Sequence, residues 1–308
     1  MYLYNIYGIT ISSDYKFEEA IESFDVGKYD ILICEDANVV NEFYDVPESD
    51  SDVDKPYYIQ LAKDVCYIMY PEQGYFSIAS DGNIRYKLID GFDHLEVNEI
   101  FLCLVIPMLL ILQDRVMFHG SGLVWDDKCF VVSGNSGAGK STVTNACINE
   151  GAKFLADDTV ALNLEDGVYA CSAYPQQKLC MDQVTDFMKK NCEMVQLPED
   201  MGVIKYAVRD RNRFFYGTKK LNALVILNPT DKVTEPIIEE LEGYDKVPAL
   251  IDNLYKSDTY KKKGINPELF KKCLQIAQNI KIYRVSRPLE GYTTARQIEL
   301  IKEKVVKG

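Results

Sequence analysis

The stretch MFHGSGLVWDDKCFVVSGNSGAGKSTVTNACINEGAKFLADDTVAL, residues 117–162, decides how this chain is read. Within it GNSGAGKS, residues 134–141, matches G-x-x-x-x-G-K-[ST]. A strand-like apolar run, CFVVSG, precedes the match, and KSTVTNACINE follows with Val143, Ala146, Cys147 and Ile148 at helical spacing. Phosphate binding requires that order. Gly137 and Gly139 let the backbone curl around phosphate oxygens, and the amides at the start of the helix point toward negative charge. Gly134, Asn135, Ser136, Gly137, Ala138, Gly139, Lys140, Ser141 and Thr142 therefore form an expected nucleotide-binding segment. Lys140 is expected to reach the β- and γ-phosphates, and Ser141 to ligate Mg²⁺.

Working outward, FLADDTV places Asp157 and Asp158 at the end of the next strand, where a second acidic group is expected beside the metal. Neighbours on a strand point to opposite faces, so both can serve the phosphate only if the strand ends there. One division directs Asp157 to an acceptor hydroxyl as general base and Asp158 to the metal; the alternative is an acidic turn without chemistry. His119 sits in MFHGSG, on a strand expected to pair with the one leading into the loop. A lone histidine is structural more often than catalytic, and position alone leaves both readings open. His94, in GFDHLE, has no such context and reads as a surface or capping residue.

Composition bounds the rest. Net charge is −13, from 34 Lys plus Arg against 47 Asp plus Glu, which disfavours nucleic acid and anionic membranes as partners. An apolar share of 47% in 308 residues supplies a real core and room for two domains. The nine cysteines include no CxxC pair and sit in apolar stretches, which fits free thiols in a reducing cytoplasm rather than zinc ligands. No basic region followed by an apolar core opens the chain, so no signal peptide is expected. The longest apolar run, IFLCLVIPMLLIL at residues 100–112, is too short to span a bilayer and carries Pro107; it is expected to be a buried, kinked helix.

Short runs rich in Tyr, Ile and Val fill roughly the first ninety residues and predict a β-rich domain over 1–94, with DVPESDSDVDK (45–55) as an acidic surface loop. From Leu95 a helix of about five turns leads into the hairpin that feeds the loop. Strands and helices then alternate irregularly through LNALVILN, NPELFKKCLQIAQNI, KIYRVSRP and a terminal helix over TTARQIELIKEKVV. The expected fold class is therefore α/β, a mixed-sheet nucleotide-binding core over 95–308 behind the small β-rich domain.

These residues resemble a known family. HGSGLVWDDKCFVVSGNSGAGKS…GAKFLADD is similar to the core of HPr kinase/phosphorylase, a P-loop kinase fold related to phosphoenolpyruvate carboxykinase. His119-Gly120, Gly134-Ser136-Gly137-Gly139-Lys140-Ser141 and Asp157-Asp158 match its pattern in order. The resemblance implies a serine/threonine-type kinase using ATP and Mg²⁺, with Asp157 as base, Asp158 helping to hold the metal, and His119 supporting base or acceptor. The match covers about fifty residues. The family's later EIRGLG-like signature has no counterpart in residues 172–182, where Gln176 and Gln177 replace its glutamate. The resemblance therefore does not extend to phosphorylase activity, the HPr substrate or a hexamer. The opening Y-x-x-YG-x-x-I-S and the late RP are similar to HPr-kinase-like proteins that phosphorylate lasso-peptide precursors.

Lys178, Lys205, Arg209, Arg211, Arg213 and Arg287 are candidates to clamp phosphate or acceptor, each against the alternative of a solvated charge. A GTPase is disfavoured, because Pro229 in LNPTDK stands where a base-stacking lysine belongs. The expected activity is ATP-dependent phosphoryl transfer to a hydroxyl of a peptide or small protein. The alternatives are a kinase of free small molecules and a non-catalytic nucleotide sensor; a homo-oligomer is left open.

Overall fold

The computed structural model describes residues 1–24, 27–43, 57–198, 202–257 and 264–308, so the acidic stretch 45–55 lies outside the described residues. The protein is mixed α/β with several sheets, and it divides into two compact units, Met1–Arg115 and Val116–Gly308. This division assigns the helical stretch after Leu95 to the first unit.

The first unit is a seven-stranded sheet of β1 (Tyr2–Ile6), β2 (Ile9–Ser13), β3 (Ile31–Glu35), β4 (Tyr58–Leu61), β5 (Val65–Tyr70), β6 (Gly74–Ala79) and β7 (Asn83–Leu88), in the order β1-β2-β3-β7-β6-β5-β4. Only the β2–β3 and β3–β7 pairs are parallel. A helical stretch follows: α1 (His94–Ile100), a π-helical turn (Phe101–Val105) and α2 (Ile106–Leu112). Asp93 caps it by accepting from the amides of Leu95 and Glu96. The Ile106 amide reaches back to the Phe101 carbonyl, and this wide turn accommodates Pro107, which has no amide to donate. Residues 94–99 join the apolar run, so His94–Leu112 is the one helix among the described residues long and apolar enough to cross a membrane; 78% of its most apolar window is buried inside the protein. Phe101 explains that burial, packing its ring against Tyr15, Phe17, Phe76 and Tyr86 at 5.1–5.4 Å.

The second unit is built on an eight-stranded mixed sheet. β8 (Met117–Trp125) and β9 (Lys128–Gly134) form the expected hairpin, and α3 (Lys140–Asn149) follows the loop. β8 then branches: its second half pairs with β10 (Lys153–Ala156) and its first half with β11 (Thr159–Asn163). β12 (Tyr169–Cys171) continues the sheet. A separate three-stranded sheet holds β13 (Gln176–Leu179), β14 (Glu193–Gln196) and β15 (Tyr206–Arg209), with α4 (Asp186–Asn191) between β13 and β14. β16 (Thr218–Pro229) returns to the main sheet beside β9, both running parallel. β17 (Ile237–Glu240), α5 (Lys246–Asp252), α6 (Pro267–Asn279), β18 (Lys281–Arg287) and α7 (Thr294–Ile301) complete the unit, with β18 parallel to β16. β9, β16 and β18 therefore point the same way, and the loop after β9 leaves the sheet at the end where β16 and β18 finish, Gly134 standing opposite Leu227 and Pro229 opposite Arg287.

The helix after the loop differs from its expected face. Val143, Cys147 and Ile148 are buried, but so are Thr144 and Asn145, while Ala146 is only half-buried. The cause is a second neighbour: Asn145 donates through Nδ2 to the Gln183 carbonyl at 2.7 Å, so α3 is covered on a polar side too.

Candidate active site

β9 ends at Gly134 and α3 begins at Lys140, so the glycine-rich loop bridges sheet and helix in five residues, 135–139. Gly139 is the N-cap of α3 at φ +99°, a left-handed conformation costly for any residue with a Cβ, and it offers no side chain to cap the first amides of the helix. Those amides and the helix dipole make the loop an electropositive end. Lys140 folds over it, donating to the carbonyls of Gly134 (2.9 Å) and Asn135 (3.2 Å). Burial lowers its pKa and Lys205 adds to that, against the opposing pull of Asp158 and Asp157.

The two aspartates solve the problem of strand alternation. β10 stops at Ala156, and the Thr159 amide donates to the Asp157 carbonyl at 2.8 Å, closing a three-residue turn with Asp158 at φ +66°. The Asp158 carbonyl is held by the Gly120 amide at 3.1 Å and approached by His119 Nδ1 at 3.2 Å. His119 Nδ1 also stands 3.5 Å from Asp158 Oδ1. Asp157 accepts from Ser121 Oγ at 2.7 Å and from the Lys178 amide at 2.9 Å.

The environments push the two carboxylates apart. Burial raises the pKa of Asp157, with Asp158 adding to the rise and the bonds from the Lys178 amide and Ser121 only partly offsetting it. Burial acts the same way on Asp158, but Lys178, His119, Lys205 and Lys140 together outweigh it and hold its pKa below the usual carboxylate value. A pair divided in this way suits one proton-accepting and one permanently charged role.

A cleft of about 570 Å³ collects these groups. His119, Ser136, Gly137, Gly139, Lys140, Ser141, Thr142, Asp157 and Asp158 all line it. Gly134, Asn135 and Ala138 lie behind: the first two hold Lys140 by their carbonyls, and Ala138 is buried with its carbonyl accepting from Arg287 at 3.2 Å. Among the basic candidates, Lys178 and Lys205 line the cleft. Arg209 instead pairs with Glu193 at 2.6 Å and Gln176 at 3.2 Å; Arg213 pairs with Asp210 and lies 4.9 Å over the Phe187 ring. Arg211 is exposed and lines no part of it. His94 meets Phe92 edge-to-face in the first unit, with ring centroids 4.5 Å apart.

Residues that sequence reasoning passed over include Ser121, Cys180, Gln183 and Val203. Ser121 had a local signal, since i and i+2 on a strand share a face and His119 stands two before it. Gln183 had none: its Nε2 reaches Thr142 Oγ1 at 3.0 Å across a long sequence separation.

The oxygen donors present fit a hard divalent cation such as Mg²⁺, since Ser141 offers a hydroxyl and Asp158 a carboxylate kept ionised. Among the described residues no group of three or more His, Cys, Asp or Glu is arranged to hold a metal by itself.

No family model matches this chain, and no curated protein does. Among solved structures it is similar to the HPr(Ser) kinase/phosphatase from Coxiella burnetii. That similarity covers 62% of this chain and 91% of that one, at 13% identity and a TM-score of 0.34. This is a distant structural relationship only.

Proposed function

We propose that the protein transfers the γ-phosphoryl group of ATP to a serine- or threonine-type hydroxyl on a peptide or small protein. The observation that carries this reading is the convergence of Lys140, Ser141, Asp157 and Asp158 on one cleft, with the two carboxylates driven in opposite directions. The loop amides and Lys140 bind the β- and γ-phosphates and neutralise their charge. Asp157 takes the proton from the acceptor hydroxyl as its oxygen bonds to the γ-phosphorus; the bond to the β-phosphate oxygen breaks, and ADP leaves. Ser121 and the Lys178 amide orient Asp157, while His119 holds the Asp158 turn rather than the base itself. Ser141 and Asp158 would hold Mg²⁺, which would supply charge neutralisation along the phosphates. Lys178 and Lys205 also line the cleft and are assigned to the transferring phosphoryl group or the acceptor. All nine cysteines are free thiols, in keeping with a cytoplasmic protein.

The test is incubation with γ-labelled ATP and Mg²⁺ against three acceptor pools: peptides encoded by neighbouring genes, HPr, and mixed hydroxyl metabolites. Label is expected in a peptide or protein, abolished by Lys140→Ala, and lost in Asp157→Asn while nucleotide binding persists. Label in a metabolite alone overturns the acceptor class, and nucleotide binding without label in any pool overturns catalysis. Wild-type turnover by Asp157→Asn removes the base assignment.

A further inference from the structure

Gln183 joins two parts of the cleft that lie far apart in the chain. It closes a short 3₁₀ turn, Met181–Gln183, after β13. Leu179 and Val184 flank that turn and are buried against Met188 and Val208, which anchors its backbone at both ends. Asn145 on α3 ties the turn again, donating to the Gln183 carbonyl at 2.7 Å. The turn is thus docked without the Gln183 side chain, whose bonds to Cys180 and Thr142 serve another purpose.

Those bonds fix which way the side-chain amide faces. The Cys180 backbone amide meets Gln183 Oε1 at 3.1 Å, and a backbone N–H only donates, so the oxygen must face it. Nε2 is thereby turned to Thr142 Oγ1, to which it donates at 3.0 Å. The Thr142 hydroxyl is an acceptor toward Gln183, and its own proton is left for another group. A helical threonine can give that proton to the carbonyl four residues back. Here that carbonyl belongs to Ala138 and accepts from Arg287 at 3.2 Å, and the Thr142 proton has no acceptor among the described residues.

Thr142 is exposed in the cleft and directly follows Ser141 at the start of α3, where the loop and helix amides favour negative charge. The group that belongs there and lacks a proton of its own is a phosphate oxygen. We propose that Gln183 is a positioning residue, holding the Thr142 hydroxyl so that its proton is given to a phosphate oxygen of the bound nucleotide. A bond from O–H to a charged oxygen is of the stronger class. The role rests on the nucleotide reading of the site above, but not on phosphoryl transfer. Lys178, on β13, gives its amide to Asp157 at 2.9 Å, so the nucleotide contact and the proposed base are served by one continuous segment, 178–183.

The test is a double-mutant cycle on ATP binding by the full chain with Mg²⁺, followed by calorimetry. Thr142→Val removes the hydroxyl at nearly constant shape and should weaken ATP binding by about tenfold, whereas Thr142→Ser should bind like wild type. Gln183→Met keeps the length of the side chain without its amide and should weaken binding by about fivefold. Added to Thr142→Val it should cost less than about twofold more, because it acts only through that hydroxyl. Gln183→Glu presents a carboxylate that draws the Thr142 proton to itself, so its loss should equal or exceed that of Thr142→Val. Wild-type binding by Gln183→Met overturns the proposal, as does a double variant in which the two losses multiply, the mark of a merely structural role. Wild-type binding by Gln183→Glu also overturns it, and this near-isosteric change decides the matter should the Met variant unfold. A wild type that binds no ATP overturns this role together with the nucleotide reading. ATP binding with the expected non-additivity, but no label transferred, upholds the role and counts against the kinase reading alone.

Discussion

Gly120→Ala tests whether the backbone of β8 sets the catalytic geometry. Gly120 pairs with Ser133 across the hairpin, and a Cβ built on it falls 2.3 Å from the Val132 carbonyl oxygen and 3.1 Å from its carbon. Ordinary contact begins near 3.4 Å, so the strands must part by about 1 Å, and the obstructing atoms are backbone that cannot rotate away. Overpacking of this kind costs about 1–3 kcal/mol, and the rigid obstruction puts this case at about 3. At about 2–4 °C per kcal/mol for a domain of this size, Tm should fall by about 6–12 °C. The same displacement moves His119 and Ser121, which flank Gly120 and reach Asp158 and Asp157. A misplacement of about 1 Å lowers the rate by about a hundredfold. Thermal denaturation reads the first effect and single-turnover transfer from labelled ATP, below the variant's Tm, reads the second. A Tm within about 2 °C of wild type, together with a rate within about threefold, would refute the argument that this glycine is required by close backbone approach.

Two other perturbations separate the roles around the cleft. Ser121→Ala removes a bond to a charged group worth about 1.5–3 kcal/mol; because that bond favours the ionised Asp157, whose pKa burial already raises, the acidic limb of the pH–rate profile should move to higher pH while the plateau above it stays near wild type. A profile superimposable on wild type counts against Asp157 as the base. Arg287→Met removes the guanidinium that ties the Ala138 carbonyl of the loop to the Pro288 carbonyl, at 3.2 and 2.8 Å, and should weaken ATP binding by about tenfold, with Arg287→Lys recovering part of it. An unchanged Kd by calorimetry would make the contact incidental.

Much of the candidate site was legible because it is local. The loop pattern, the strand before it and the helix after it are neighbours in the chain, and each is dictated by φ preference or apolar spacing within a few residues. The basic residues were not legible, because their fates turn on distant partners. Lys178 reaches the cleft because β13 pairs with β15 in a register that sets it opposite Ala207, while Arg209 on the same β15 finds Glu193 on β14. Nothing in KYAVRDRNRFF distinguishes a phosphate clamp from an arginine already taken by Asp210. The polar burial on α3 has the same origin: amphipathic spacing describes a helix with one covered face, and Asn145 is covered by a segment that arrives later in the chain.

Asp158 shows where local chemistry and tertiary demand meet. A straight continuation of β10 sends Asp157 and Asp158 to opposite faces, and the sequence contains no glycine there to break the strand. The chain instead places Asp158 itself at φ +66°, a conformation costing about 1–3 kcal/mol, which aspartate tolerates better than most residues. The Gly120 amide and His119 ring hold its carbonyl in that state. A glycine at 158 would relieve the strain and remove the carboxylate; an aspartate followed by a glycine at 159 would keep the carboxylate but lose the Thr159 side chain at the start of β11. The strained turn is thus the arrangement that keeps both carboxylates in the cleft with β11 still paired to β8, and it explains why His119-Gly120 and Asp157-Asp158 belong to one unit of structure despite their separation in the chain.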